Sequence, residues 1–170
     1  MAASSSSSNG NRTMESRTGR SKQRYNAKGE RLVAGVVPLT ADKTYVLLIQ
    51  STRRKGWVLP KGGWETDEEC HEAATREAWE EAGILIQIDY DLGDIIETRP
   101  PKKPSPGKDK AKESHKSLYR FFEATVTSEE TEWPEKDKRI RTWMTYAEAK
   151  EALKDRPELQ TALDRSTIKR

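Results

Sequence analysis

The sequence contains one cysteine, Cys70, in 170 residues, so no internal disulfide can form. It has only two histidines, His71 and His115. With so few soft ligands a Cys/His zinc site is excluded, and any bound metal must be held by oxygen. Only 33% of the residues are apolar, and no run approaches the ~20 consecutive apolar residues that cross a bilayer. A membrane is therefore not an expected partner. The N-terminus also lacks the hydrophobic segment of a secretory signal, so the expected location is the cytoplasm and also the nucleus. An apolar share this low means either a wet fold or an ordinary core diluted by segments that do not pack.

Charge, by contrast, is abundant and unevenly placed. The net charge is +3, from 31 Lys and Arg against 28 Asp and Glu. Met1 to Arg31 carries seven basic residues against two acidic ones, and Arg99 to Lys116 again carries seven against two. Between Glu65 and Glu81 eight acids face one base, Arg76. The first block begins with a serine run and has almost no apolar content, so residues 1–22 are expected to form a disordered Ser/Arg-rich tail. The rest, 23–170, is long enough for one domain. Within it, 99–116 contains Pro100, Pro101, Pro104 and Pro106, so it is expected to be a basic Pro/Lys-rich loop.

Strands are expected over Arg31 to Leu39, Thr44 to Gln50, Trp57 to Leu59, Ile84 to Asp89, Leu92 to Thr98, Leu118 to Val126 and Ile140 to Met144. Thr66-Asp-Glu-Glu69 has the form of a capping box, which predicts a helix from there to Ala82, stopped by Gly83. Thr145-Tyr-Ala-Glu148 repeats the start signal for a helix to about Asp155, and Pro157 opens a second short one. Strands interspersed with helices give the class α/β or α+β.

On the first helix Glu77, Glu80 and Glu81 fall at i, i+3 and i+4, so three carboxylates converge on one patch. Like charges at that spacing destabilise an isolated helix by roughly 0.2–0.5 kcal/mol per pair, so something must offset them. Arg76 is expected to pair with Glu72 or Glu80 but cannot neutralise the group alone. A solvated acidic face is the plain alternative. The glycine loop Pro60-Lys-Gly-Gly-Trp64 precedes the helix directly, however, and can offer carbonyl oxygens nearby. Carboxylates plus carbonyls make a site for a hard cation, Mg²⁺ with Mn²⁺ as a substitute.

Gly62, Glu68, Arg76, Glu77, Glu80, Glu81, Gly83 and Ile84 fit the pattern G-x5-E-x7-R-E-U-x-E-E-x-G-U, with Ala78 as the one departure, at the first bulky aliphatic position. The chain thereby resembles the Nudix hydrolases. From about Arg24 onward it is similar to a narrower group, the diphosphoinositol polyphosphate and diadenosine polyphosphate phosphohydrolases, especially the fungal ones. Arg31-Leu-Val-Ala-Gly35, Trp57-Val-Leu-Pro-Lys-Gly-Gly63, Arg99-Pro-Pro101, Tyr146-Ala-Glu-Ala149 and Arg156-Pro-Glu-Leu159 carry that similarity. The resemblance implies an α/β/α sandwich with a mixed central sheet and a loop-helix-loop catalytic motif. It implies Glu77, Glu81 and the Gly62 carbonyl as Mg²⁺ ligands, Glu80 as proton acceptor and Arg76 as the group orienting the carboxylates. The division of roles between Glu77 and Glu80 varies among Nudix families.

By the same likeness Arg24, Arg31, Ser51, Arg53, Lys61, Gly63, His115 and Lys116 would contact substrate phosphates, with Lys138, Arg139 and Arg141 as further candidates. The implied activity is removal of the β-phosphate of diphosphoinositol polyphosphates and cleavage of diadenosine polyphosphates, with inorganic polyphosphate as a further substrate. Two other readings are a nucleotide-directed Nudix hydrolase acting on capped RNA or ADP-ribose, and a non-enzymatic nucleic-acid-binding module. Against the last, the basic blocks are interrupted by an acidic helix, and the aromatics are not interleaved with lysines as stacking platforms would be. The expected partner is thus a highly phosphorylated small molecule rather than nucleic acid, and the expected state a monomer.

Overall fold

Strand β1 (Arg31–Leu39) is rich in valine and small apolar residues, and every residue from Val33 to Leu39 is buried. Strand β2 (Val46–Gln50) is buried from Val46 to Ile49. A strand buried at consecutive positions has both faces covered, which requires layers on each side of its sheet. The computed structural model, which describes residues 13–17, 19, 21–53, 55–97 and 117–170, supplies those layers. Seven strands form one mixed sheet: β1 and β2 with β3 (Trp57–Val58), β4 (Lys61–Gly63), β5 (Ile84–Ile96), β6 (Ser117–Glu129) and β7 (Arg141–Met144). Along the main path the order is β3-β2-β1-β6-β5, with β4 paired to β1 and β7 to β2. β1 and β6 are parallel, from Arg31 opposite Ser117 to Leu39 opposite Thr125, and the other pairs are antiparallel.

Three helices complete the described residues: α1 (Cys70–Ala82), α2 (Tyr146–Ala152) and α3 (Pro157–Arg165). α1 packs on β1, β4 and β5, α2 on β2 and β7, and α3 on β5. Phe121, Leu39, Leu47, Leu48, Ile49, Ile84, Leu153, Leu159 and Leu163 fill the interior. The expected α/β architecture with a mixed sheet is present. No described helix is long and apolar enough to cross a membrane.

The structure departs from the expected elements at several places. Ile84 to Asp89 and Leu92 to Ile96 belong to one strand, β5, whose register on β6 shifts three times, while Thr98, the expected end of the second strand, lies outside the described residues. Gly93, at φ +83°, lies in the last shift, so a bulge stands where the sequence suggests a break. The glycine loop contains a strand: Lys61, Gly62 and Gly63 pair with Gly35, Ala34 and Val33. β2 starts at Val46 rather than Thr44, and α2 stops at Ala152. The box at Thr145 does form, with the Glu148 amide donating to Thr145 Oγ1 and the Thr145 amide to Glu148 Oε1.

Part of the segment expected to be a tail is also among the described residues. Thr13 to Arg17 lies against the domain, where Trp79 Nε1 donates to the Thr13 carbonyl at 2.6 Å and Ser16 Oγ to Glu135 Oε2 at 2.7 Å. Arg17 Nη1 meets Glu65 at 2.5 Å and Asp67 at 3.2 Å, and Lys22 reaches Asp67. Thr13 to Arg17 and Lys22, expected to belong to an unpacked tail, therefore make contacts with the domain. The basic loop expected over 99–116 lies outside the described residues.

At the other end of the chain, Glu123 is fully buried on β6 and accepts hydrogen bonds from Lys43 Nζ at 2.6 Å and from the Thr167 amide and hydroxyl at 2.7 Å. Burial alone would raise this carboxyl, but these donors outweigh it and hold Glu123 below the ordinary glutamate value. The clasp fixes the C-terminal segment to the β1–β2 turn, where the Lys169 amide also donates to the Lys43 carbonyl.

Candidate active site

Helix α1 begins one turn later than the sequence suggests. Its N-cap is Glu69, whose amide donates to Glu72 Oε1 at 2.7 Å, so Glu69 and Glu72 replace Thr66 and Glu69 as the capping pair. The preceding turn is kept out of the helix by side chains from elsewhere. Arg24 Nη2 donates to the carbonyls of Glu65, Thr66 and Glu68, and its guanidinium lies 4.5 Å from the Trp64 ring centroid. Trp64 Nε1 takes up the Glu68 carbonyl as well. Arg24 thus anchors the loop, and it is not among the described residues lining the clefts where it was expected as a phosphate contact.

The other end of α1 is closed just as fully. Gly83 adopts φ 66° and ψ 33°, the left-handed cap, and a Cβ there would meet the Trp133 ring at 2.4 Å. Segment 130–141 then satisfies the last carbonyls of the helix. The Glu135 amide donates to Glu80, Trp133 Nε1 to Glu81, and Arg141 Nη1 to Ala82 at 2.8 Å and Gly83 at 3.2 Å. Arg141 also binds the Glu130 carbonyl and stacks on Trp133 at 4.2 Å. It caps the helix, and like Arg24 it is not among the described residues lining the clefts where it was expected to bind substrate.

Held at both ends, α1 presents Glu77, Glu80 and Glu81, all buried, towards β4. Arg76 ties them together: Nη1 lies 2.9 Å from Glu77 Oε2 and 3.2 Å from Glu80 Oε1, while Nη2 donates to the Gly63 carbonyl at 2.9 Å. Its strongest partner is Glu68, at 2.9 Å from Nε and 3.1 Å from Nη2, a fork-to-fork pair that the sequence reading did not assign. Glu72, the other expected partner, is occupied at the cap. The Glu81 carboxylate accepts from the Lys61 amide at 3.1 Å, and Arg139 Nη2 stands 3.6 Å away.

One guanidinium among three carboxylates leaves negative charge over. Burial pushes Glu77 well above the ordinary glutamate value, aided by the charge of Glu81 and opposed by Arg76. Burial likewise raises Glu80 against Arg76, and Glu81 against Arg139 and Lys61. Glu80 Oε2 is buried without a hydrogen-bond partner. Gly62 lies so close to Glu77 that an added Cβ would meet its carboxylate atoms at 2.2–2.4 Å. An under-neutralised, all-oxygen donor set with an unpaired buried oxygen fits a hard divalent cation.

Two adjoining clefts of about 430 and 360 Å³ open from this cage and share Arg17, Arg31, Arg53, Gly62, Glu81 and Glu135. The structure brings Arg31, Ser51, Arg53, Lys61, Lys138 and Arg139 to the walls of the larger one, and Gly63, Arg76, Glu77 and Glu80 to the smaller. Lys61 Nζ lies 5.9 Å from the Tyr119 ring centroid, and burial pushes its ammonium down to about 8 despite the nearby Glu81. His115 and Lys116 lie outside the described residues. Arg17, Glu135, Tyr119 and Arg156 line the larger cleft although the sequence reading had assigned them no place there. Only the basic character of Arg17 and Arg156 hinted at it.

The chain is 39% identical over 153 residues to Nudix hydrolase 17, mitochondrial, of Arabidopsis thaliana, covering 84% of this chain and 76% of that protein. It is 36% identical over 152 residues to Nudix hydrolase 4 of the same plant, covering 82% and 67%. Several relatives are named as mitochondrial or chloroplastic, so the expectation of cytoplasm and nucleus gains no support from them. Among solved structures, a NUDIX hydrolase from Nitrosomonas europaea superimposes with a TM-score of 0.64 at 18% identity, covering 80% of this chain and 87% of that one. A C. elegans Ap4A hydrolase binary complex gives 0.57 at 21%, covering 79% and 93%. These two share the fold. Residues 29–165 match the NUDIX domain, and with that match and such relatives the chain belongs to the Nudix hydrolase family.

Proposed function

We propose that this chain is a Mg²⁺-dependent phosphoanhydride hydrolase of highly phosphorylated small molecules, namely diadenosine polyphosphates and diphosphoinositol polyphosphates. The observation that carries the reading is the opening of the Glu77, Glu80 and Glu81 cage onto walls bearing Arg31, Arg53, Lys61, Lys138 and Arg139. A substrate reaching from the cage along those walls has to carry many negative charges. The solved Ap4A hydrolase supports the dinucleoside polyphosphate part by its shared fold.

Glu77 and Glu81 with the Gly62 carbonyl would hold the cation. When bound, Mg²⁺ supplies polarisation of the phosphoryl oxygens and neutralises charge developing there. Glu80 accepts the proton of the attacking water; the new P–O bond forms on phosphorus while the anhydride P–O bond breaks and the leaving phosphate departs. Its burial, which raises its proton affinity, suits that task. Arg76 keeps the carboxylates in register, and the cleft cations hold the remaining phosphates.

Phosphate release from diadenosine pentaphosphate and from a diphosphoinositol pentakisphosphate with Mg²⁺ tests the reading. Wild-type turnover with a fall of about 10²-fold or more in Glu80→Gln and Glu81→Gln is expected. No release from either substrate, or release indifferent to both substitutions, would sink the proposal.

A further inference from the structure

The larger cleft continues past its phosphate-facing walls. At Ser51, Val58 and Arg156 it joins a recess of about 270 Å³ whose floor includes Trp57 and Ala152, with Asp155 at its border. The chemistry changes at that junction. The main cleft is walled by Arg31, Arg53, Lys61 and Arg139, whereas the recess sets an indole and two aliphatic side chains beside a single further cation, the exposed Lys55. Trp57 is fixed by the β2–β3 ladder, paired opposite Gln50, and packs partly into the core, so its ring is a set surface.

Arg156 stands on the border and lines both spaces. It is held in place from behind. Glu158 is buried, neither of its carboxylate oxygens has a hydrogen-bond partner, and one lies 3.5 Å from Arg156 Nε. Arg156 Nη2 reaches the Tyr119 hydroxyl at 3.3 Å. A phosphate string running from the cage to Arg156 therefore delivers its far end into the recess. A further phosphate there would find the exposed Lys55 at the edge, but it would also meet the Asp155 carboxylate and an apolar floor that cannot replace its hydration. A flat, uncharged heterocycle would gain stacking on the indole, with Asp155 available as acceptor for an exocyclic amine.

We propose that the recess floored by Trp57 is a nucleobase subsite, which takes one base of a dinucleoside polyphosphate while Arg156 holds the adjoining phosphate. This rests on the proposed function and narrows its substrate: the site is built for a polyphosphate with a nucleoside end.

The test uses the full chain with Mg²⁺ and compares kcat/KM for diadenosine pentaphosphate with that for linear inorganic pentaphosphate, in wild type, Trp57→Leu and Trp57→Phe. Loss of one base stack corresponds to about 5- to 150-fold. The ratio of the two kcat/KM values should fall by that factor in Trp57→Leu, through KM, and return most of the way in Trp57→Phe. A ratio unchanged in Trp57→Leu, or not rescued by Phe, overturns the subsite. If wild type cleaves neither compound the proposed function fails, and calorimetric titration of ATP against tripolyphosphate then decides the subsite. ATP affinity falling about fivefold or more relative to tripolyphosphate in Trp57→Leu supports it, and parallel affinities refute it.

Discussion

Replacing Arg141 by Met keeps the aliphatic stem against Trp133 and removes a guanidinium that donates to the Ala82, Gly83 and Glu130 carbonyls at 2.8, 3.2 and 2.7 Å. Each hydrogen bond to a charged group contributes roughly 1.5–3 kcal/mol. They share one guanidinium, so they do not add in full. The side chain is 17% exposed, so water can reach part of what is left unpaired. The expected loss is about 3 kcal/mol, to be set against a total stability of roughly 5–15 kcal/mol. In a domain of this size each kcal/mol moves Tm by roughly 2–4 °C, so the melting point should drop by about 6–12 °C. Circular dichroism melts with and without Mg²⁺ measure that. Steady-state kinetics on diadenosine pentaphosphate, well below the lowered Tm, measure the site. A cap residue changes Tm and leaves KM within about twofold; a phosphate contact does the reverse and costs about 1.5–3 kcal/mol of binding, a KM rise of about tenfold or more. An unmoved Tm together with that KM rise would refute the assignment and restore Arg141 to the substrate.

Gly62→Ala places a Cβ against the Glu77 carboxylate, which must then shift, so the apparent affinity for Mg²⁺ should weaken by about 10–100-fold with the fold retained. Titration of activity with Mg²⁺ and of the protein with Mn²⁺ by calorimetry reads this directly, and an unaltered metal dependence contradicts it. Because Glu123 is held below its ordinary value of 4.5, the stability it contributes is complete above that value and is lost as pH falls through the folded one. In Lys43→Met burial is opposed only by the Thr167 donors, so the acid-unfolding midpoint should move to higher pH. Tryptophan fluorescence during acid titration checks this; a midpoint that stays or moves down shows that the clasp carries no such linkage.

How far the sequence could be read depended on whether a residue's partner was near it in the chain. β1, the i, i+3, i+4 register of Glu77, Glu80 and Glu81, the stop at Gly83 and the cap at Thr145 are local patterns, and all of them stand in the structure. The start of α1 was ambiguous because an acid-rich run offers two overlapping capping pairs. Arg24 and Trp64 decide it by occupying the carbonyls of residues 65, 66 and 68, one of them from 41 or more positions away. β4 escaped notice because glycine disfavours strands, and only the neighbouring β1 makes it one. Arginines were the hardest to place. A basic residue among others looks like a phosphate contact, yet Arg24 and Arg141 spend their donors on backbone carbonyls before α1 and at its end, while Arg156 stands in the cleft.

The contacts of residues 13–17 bear on how this protein is to be handled. Composition invites a cut near residue 22, where the serine- and arginine-rich stretch gives way to the first strand. Such a cut would leave Trp79 Nε1 on α1 without the Thr13 carbonyl, and Glu135 without the Ser16 hydroxyl that shares it with Arg139. Arg139 in turn is the cation nearest to Glu81 Oε2 among the described ion pairs. A truncated protein would therefore report on a carboxylate cage with one wall loosened, and its kinetics would describe the cut as much as the protein.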